Sequence, residues 1–129
     1  MSEARIRVLI AEEEPQLGSL LETFLSGRGC TTVLVRDGRS ALERLLAEAF
    51  DVAIVDIVMP ELDGLDASRQ IVAKYPTAQR PRIVAMTANA MQGDREECLD
   101  AGMDDYVVKP IRVDALVEAL QGVTHRREA

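Results

Sequence analysis

Aromatic residues, cysteine and positive charge are all scarce in this chain of 129 residues. It has no tryptophan, two tyrosines and two phenylalanines, so few rings are available to stack on a large planar cofactor. Lysine and arginine number 15 against 22 aspartates and glutamates, which gives a net charge of −7. That balance argues against nucleic acid as a direct partner, because phosphate contacts need clustered lysine and arginine.

The chain also lacks long apolar runs and has only two cysteines. No run approaches the roughly 20 residues of a membrane-spanning helix. The first five residues lack the charged-then-apolar pattern of a signal peptide. We therefore expect a cytoplasmic protein that makes no membrane contact. Disulfides are rare in that compartment, so Cys30 and Cys98 are predicted to be small buried thiols.

Strand-like runs and helix-like apolar stripes alternate along the chain. We expect a single domain over 1–129, with its core at about 5–122 and a charged tail at 123–129. The stripes predict that Leu20, Leu46 and Leu99 face the core. Strands are predicted at 6–11, 31–35, 52–56, 82–86 and 105–108, and helices around 17–25, 42–49, 65–75, 90–101 and 113–120. The alternation predicts an α/β fold, a doubly wound (βα)5 sheet of five parallel strands with helices on both faces.

The third predicted strand organises the rest of the chain. Four apolar residues, 52–55, run directly into Asp56. An unbroken apolar run between turn signals is typical of a strand buried on both faces of a parallel sheet. Asp56 then lies at the carboxyl end of the strand, which is the edge where open α/β sheets bind their ligands.

Other predicted strands also end in polar residues. Glu12 and Glu13 follow the first strand, Thr87 the fourth and Lys109 the fifth. Clustered carboxylates need a cation, and oxygen ligands select a hard ion such as Mg²⁺. The lysine ammonium offers a positive charge to phosphoryl oxygens, and the threonine hydroxyl can donate a hydrogen bond to them. A carboxylate can attack phosphorus to form an aspartyl-phosphate, so Asp56 is the candidate nucleophile.

Each of these residues also has an ordinary structural interpretation. A strand-end aspartate or threonine is often a helix cap or a turn residue. A lysine before proline is usually solvated, and acids before a helix are favoured by the helix dipole. Their coincidence at one edge of the predicted sheet favours the chemical interpretation.

The chain resembles the receiver domain of two-component response regulators over roughly residues 6–121. Its sequence motifs are most similar to those of the receivers of hybrid sensor kinases and phosphorelays. The residues that carry the resemblance are the acids after the first strand, Asp56 with Met59-Pro60 and Asp63-Gly64, Met86-Thr87-Ala88, and Tyr106-Val107-Val108-Lys109-Pro110.

The resemblance implies strand order 2-1-3-4-5, as in flavodoxin-like folds. It also implies that Asp56 accepts a phosphoryl group from a histidine kinase or a histidine phosphotransfer protein. Thr87 and Lys109 would bind the phosphoryl oxygens, and the Lys109–Pro110 bond would be cis. The implied Mg²⁺ ligands are Glu13, Asp56 and the Val58 backbone carbonyl, with Glu12 acting through water.

A conformational switch is expected as well. If Thr87 moves toward the new phosphoryl oxygens, Tyr106 can rotate into the vacated space. The face formed by the fourth helix, fifth strand and fifth helix would then change shape. By analogy with the family, that face would bind a downstream protein or a second copy of the chain.

One departure from the family pattern leaves an alternative open. Glu13 stands where receivers usually have aspartate, and its extra methylene adds about 1 Å of reach at a metal that demands near-ideal octahedral geometry. The alternative is therefore an atypical receiver that binds proteins without phosphorylation. A flavodoxin-like FMN protein is a remote alternative, because the acid cluster repels phosphate and aromatic rings are scarce.

Overall fold

The structure is a computed structural model, and it describes residues 6–57, 64–74, 81–87, 92–109 and 116–118. Strands and helices alternate along the chain, as the sequence predicts. The elements are β1 Arg7–Ala11, α1 Pro15–Gly27, β2 Thr31–Val35, α2 Gly38–Ala47, β3 Val52–Asp56, α3 Gly64–Lys74, β4 Arg82–Thr87, α4 Gln92–Asp100 and β5 Asp105–Val108. Residues 116–118, within the predicted fifth helix, are helical.

The five strands form one parallel sheet in the order β2-β1-β3-β4-β5, which confirms the expected topology. Asp56 pairs with Met86 of β4, and Thr87 pairs with Val108 of β5. This register brings the carboxyl ends of β3, β4 and β5 to the same edge. All five residues of β3 are buried, as its unbroken apolar run predicts.

The core lies in two layers, one on each face of the sheet, because successive side chains of a strand point to opposite faces. Leu9 and Val55 belong to one cluster, whereas Ile10 and Ile54 belong to the other. The cysteines are free buried thiols, as predicted, and they lie in different clusters. Within the described ranges, no helix combines the length and the hydropathy that crossing a membrane requires.

Some leucines that the apolar stripes of the helices place in the core are exposed in the structure. Leu20 is 67% exposed, and Leu46 and Leu99 are exposed too, so their predicted core positions are wrong. Helix α1 packs through Gly18, Leu21 and Leu25, and a Cβ atom at Gly18 would lie only 3.0 Å from Leu34 Cδ1. This close approach of α1 to β2 sets the buried face of the helix and leaves Leu20 on the opposite side.

Candidate functional site

The carboxyl edge of the sheet holds most of the buried polar side chains of the described residues. Those classed as buried are Glu12, Asp56, Thr87 and, on α3, Ser68. Glu12 directly follows β1, Asp56 ends β3 and Thr87 ends β4. Burying a carboxylate is costly unless it is paired, so this edge requires a positive charge.

Lys109 supplies that charge from the end of β5. Its Nζ donates a hydrogen bond to Asp56 Oδ2 at 2.6 Å and lies 3.0 Å from Glu12 Oε1. The Lys109 backbone N–H donates to the Thr87 carbonyl at 2.7 Å, which holds this segment against β4. Burial lowers the pKa of Lys109, but the hydrogen bond to Asp56 and the negative charges of Asp56 and Glu12 outweigh it and raise that pKa above its ordinary value of 10.5.

The two oxygens of the Glu12 carboxylate have different partners. Its Oε2 accepts a hydrogen bond from the Glu14 backbone N–H at 2.8 Å. Its Oε1 is buried and forms an ion pair with Lys109 Nζ at 3.0 Å, without a hydrogen bond among the described residues. Burial raises the pKa of Glu12, and the neighbouring Asp56 charge adds to the rise, against the opposing effects of Glu14 and Lys109.

The structure thus brings together Glu12, Asp56 and Lys109, and places buried Thr87 on the strand beside Asp56. Glu13 is exposed. Within the described part of the chain, no three His, Cys, Asp or Glu side chains are grouped so as to hold a metal. The predicted Val58 ligand and the predicted cis bond to Pro110 lie outside the described residues.

One feature of this edge was missed by sequence reasoning. It is the Glu14 backbone N–H, which orders the Glu12 carboxylate. Its signal is Pro15 at the start of α1, because the first backbone N–H groups of a helix have no partner within the helix. The burial of Ser68 on α3 agrees with its place in the helical stripe of the third predicted helix.

Tyr106 lies on β5, one strand away from Thr87. Its side chain is half-buried and packs against the core cluster that contains Cys98 and Met103. The ring therefore packs on the same face of the sheet as Cys98 of α4.

Comparison with known proteins identifies the family. Residues 8–121 match the family described as the response regulator receiver domain. The chain belongs to this family. It is therefore a receiver domain of two-component signalling, and its class is that of signalling domains rather than enzymes. The resemblance stated from the sequence is confirmed, and the FMN alternative is removed.

Hybrid sensor kinases are among the relatives of this receiver. It is 34% identical over 116 residues to the aerobic respiration control sensor protein ArcB of Escherichia coli K12, covering 90% of this chain and 15% of ArcB. Across the curated relatives compared, the chain spans between 7% and 53% of their length. The outputs of those longer proteins therefore do not transfer to it directly.

Solved receiver structures superpose closely on this chain. The receiver of the sensor histidine kinase PA1611 from Pseudomonas aeruginosa PAO1, with a magnesium ion in its active site cleft, is 35% identical with a TM-score of 0.82, covering 94% of this chain and 99% of that one. A second structure joins the Saccharomyces cerevisiae phosphotransfer protein Ypd1 to the receiver of Ssk1. Its TM-score is 0.80 at 27% identity, with 91% and 87% covered.

Proposed function

We propose that this receiver is a phosphoacceptor and that Asp56 takes a phosphoryl group from a phosphohistidine. The observation that carries the proposal is the position of Asp56 at the carboxyl end of β3, where it shares the Lys109 ammonium with Glu12. The donor is a histidine kinase or a histidine phosphotransfer protein. Kinship with ArcB and with the receiver bound to Ypd1 supports this class of partner.

In the transfer, an Asp56 carboxylate oxygen attacks phosphorus as the phosphorus–nitrogen bond of the phosphohistidine breaks, and the imidazole leaves with the bonding electron pair. Lys109 neutralises negative charge on the phosphoryl oxygens, and the Thr87 hydroxyl donates a hydrogen bond to one of them. The same groups assist the later hydrolysis of the aspartyl-phosphate. The domain thus promotes both its own phosphorylation and its own dephosphorylation.

The site also fits Mg²⁺. A buried carboxylate oxygen without a hydrogen-bond partner lies beside a second carboxylate, and Mg²⁺ is commonly held by one or two carboxylates with water and phosphate oxygens. Glu13 and Asp56 would hold the ion with the backbone carbonyl of Val58, and Glu12 would act through water. The magnesium ion in the active site cleft of the PA1611 receiver supports an ion at this site. When bound, the ion neutralises charge on the group being transferred.

The output of phosphorylation is a change at the face formed by α4, β5 and the helix that includes residues 116–118. Thr87 moves toward the phosphoryl group, and half-buried Tyr106 turns inward behind it. A downstream protein or a second copy of the domain reads the altered face. The proposal places these events in the cytoplasm, in keeping with two cysteines that remain free thiols.

Intact mass tests the acceptor directly. The wild-type protein and Asp56→Asn are incubated with a small phosphodonor, with and without Mg²⁺. We expect one Mg²⁺-dependent phosphoryl group on the wild type and none on Asp56→Asn, because the amide is a far poorer nucleophile.

A label that persists on Asp56→Asn would contradict the assignment of the acceptor. Glu13→Asp, which restores the usual acid of the family, serves as the second comparison. If this variant is labelled and the wild type is not, the domain acts by phosphorylation-independent binding instead.

A further inference from the structure

We propose that Arg36 and Arg39, the arginine pair, attract the anionic phosphodonor to the phosphoacceptor site. The inference rests on the proposed function, because it concerns the approach of the donor to Asp56. The two side chains take no part in the transfer itself. They raise the rate at which a negatively charged phosphoryl group reaches the carboxyl edge of the sheet.

The edge that the donor must approach is acidic. Glu12 and Asp56 are buried there, and Glu13 and Glu14 are exposed beside them. Lys109 is paired with both buried carboxylates, at 3.0 Å from Glu12 Oε1 and 2.6 Å from Asp56 Oδ2, so its charge is already balanced. Because the phosphoryl group is negative too, a further positive charge at this edge increases the rate of encounter.

The arginine pair lies at this same edge. The strands β2, β1 and β3 are in register where they end, so Arg36 after β2 lies level with Glu12 and Asp56. The Glu12 backbone N–H donates a hydrogen bond at 3.0 Å to the carbonyl of Val35, the residue before Arg36. Two steps of about 4.8 Å between neighbouring strands put the β2 backbone roughly 10 Å from that of β3. Arg39 follows in the first turn of α2.

The charges of the arginine pair are not neutralised within the described part of the chain. Both side chains are exposed, and neither makes an ion pair, a hydrogen bond or a ring contact with a described residue. Asp37 lies between them in sequence, but both of its carboxylate oxygens accept hydrogen bonds from Ser40.

The other arginines with described side chains are engaged. Each of them contacts an acid or an aromatic ring: Arg7, Arg28, Arg44, Arg69 and Arg82. Acids outnumber lysines and arginines by 22 to 15 in this chain, so the lack of a partner at the arginine pair does not reflect a shortage of acids. Their charge is therefore open to an anion that approaches from solvent.

The rate of phosphorylation by acetyl phosphate tests this attraction, with intact mass following the labelled fraction at saturating Mg²⁺. This probe carries the phosphoryl anion without a protein surface. The test variant is Arg36→Gln/Arg39→Gln. The control Arg28→Gln/Lys74→Gln removes the same net charge at the opposite edge, because α1 and α3 run back to the starts of β2 and β4.

At an ionic strength of about 0.05 M, we expect the test variant to lower the second-order rate constant about threefold, since two unit charges about 10 Å from a dianion are only partly screened. The control should lower it by less than about 1.5-fold, because its charges are farther away. At about 0.5 M, the loss in the test variant should also fall below about 1.5-fold. Arg36→Lys/Arg39→Lys should keep the wild-type rate, because lysine keeps the charge.

Equal losses in the test variant and the control overturn the inference. A loss that persists at high ionic strength, or in the lysine variant, does so as well, because the effect is then not one of charge. A test variant that is labelled as fast as a labelled wild type refutes only this inference. A wild type that acetyl phosphate does not label refutes it together with the proposed phosphoacceptor.

Discussion

At the scale of single residues, Lys109 is expected to stabilise the fold because it balances two carboxylates at once. It is partly exposed, and removing it leaves Glu12 and Asp56 facing each other without a counter-charge. We expect Lys109→Met to lower the free energy of unfolding at pH 7 by about 1–3 kcal/mol, measured by urea denaturation. Because the pKa of Lys109 is raised, the ammonium makes this contribution from neutral pH up to 10.5 and loses it as the pH rises through the pKa of the folded state.

Lys74→Met at the exposed end of α3 is the matched control and should be nearly neutral. The double variant Lys109→Met/Glu12→Gln should be less destabilised than Lys109→Met alone, because one of the two facing charges is gone. This account is contradicted if Lys109→Met and Lys74→Met lower the free energy of unfolding equally. It is also contradicted if the loss caused by Lys109→Met changes between pH 7 and pH 9.

Between elements, the contact of the α4–β5 turn with α3 depends on the absence of a side chain at Gly102. Its φ is +93°, and an added Cβ atom would lie 2.3 Å from Val72 Cγ2. Gly102→Ala therefore combines a left-handed backbone with a steric clash. We expect it to lower the free energy of unfolding by about 2–4 kcal/mol in urea denaturation.

Two other glycines separate the effect of the left-handed backbone from that of the steric clash. Gly29 has a φ of +87° but open space around its added Cβ, so Gly29→Ala should cost about 1 kcal/mol from the backbone alone. Gly27 is the last residue of α1 and lies in open space without a positive φ, and Gly27→Ala should be neutral or stabilising by up to about 1 kcal/mol. The same loss at all three positions would show that the Val72 contact does not matter.

The whole molecule has two core layers, separated by the sheet. Ile54 is buried in one layer and Ile83 in the other. Each change to valine should cost about 0.5–1.5 kcal/mol, and the double variant should lose the sum within about 0.5 kcal/mol, because the two cavities share no packing. Unfolding in urea should remain one cooperative transition, since β3 and β4 pair directly.

A matched pair within one layer is Ile83→Val with Ile71→Val, both in the cluster that contains Leu9 and Val55. Departure from additivity is expected for this pair if the two cavities relax together. Two separate transitions in any of these variants would mean that the layers unfold independently, contrary to the single sheet described here.

Much of this architecture follows from local patterns. The unbroken apolar run before Asp56 predicts a fully buried β3, and the structure has one. The spacing of apolar residues is less informative for the helices. It predicts Leu20 and Leu46 as core residues, but both are exposed, because the spacing does not show which part of a wide apolar stripe contacts the sheet. In α1, the close approach of Gly18 to β2 determines the buried part.

The sequence by itself determined the family, the alternation of strands and helices, and the sheet edge that carries Glu12, Asp56, Thr87 and Lys109. It did so because parallel strands bring their carboxyl ends to a common edge. Only the tertiary structure decided that Glu12 is buried beside Lys109 while Glu13 is exposed. Adjacent residues with the same side chain carry no local signal that distinguishes them, so the packing of β1, α1 and the end of β5 sets which of the two carboxylates enters the site.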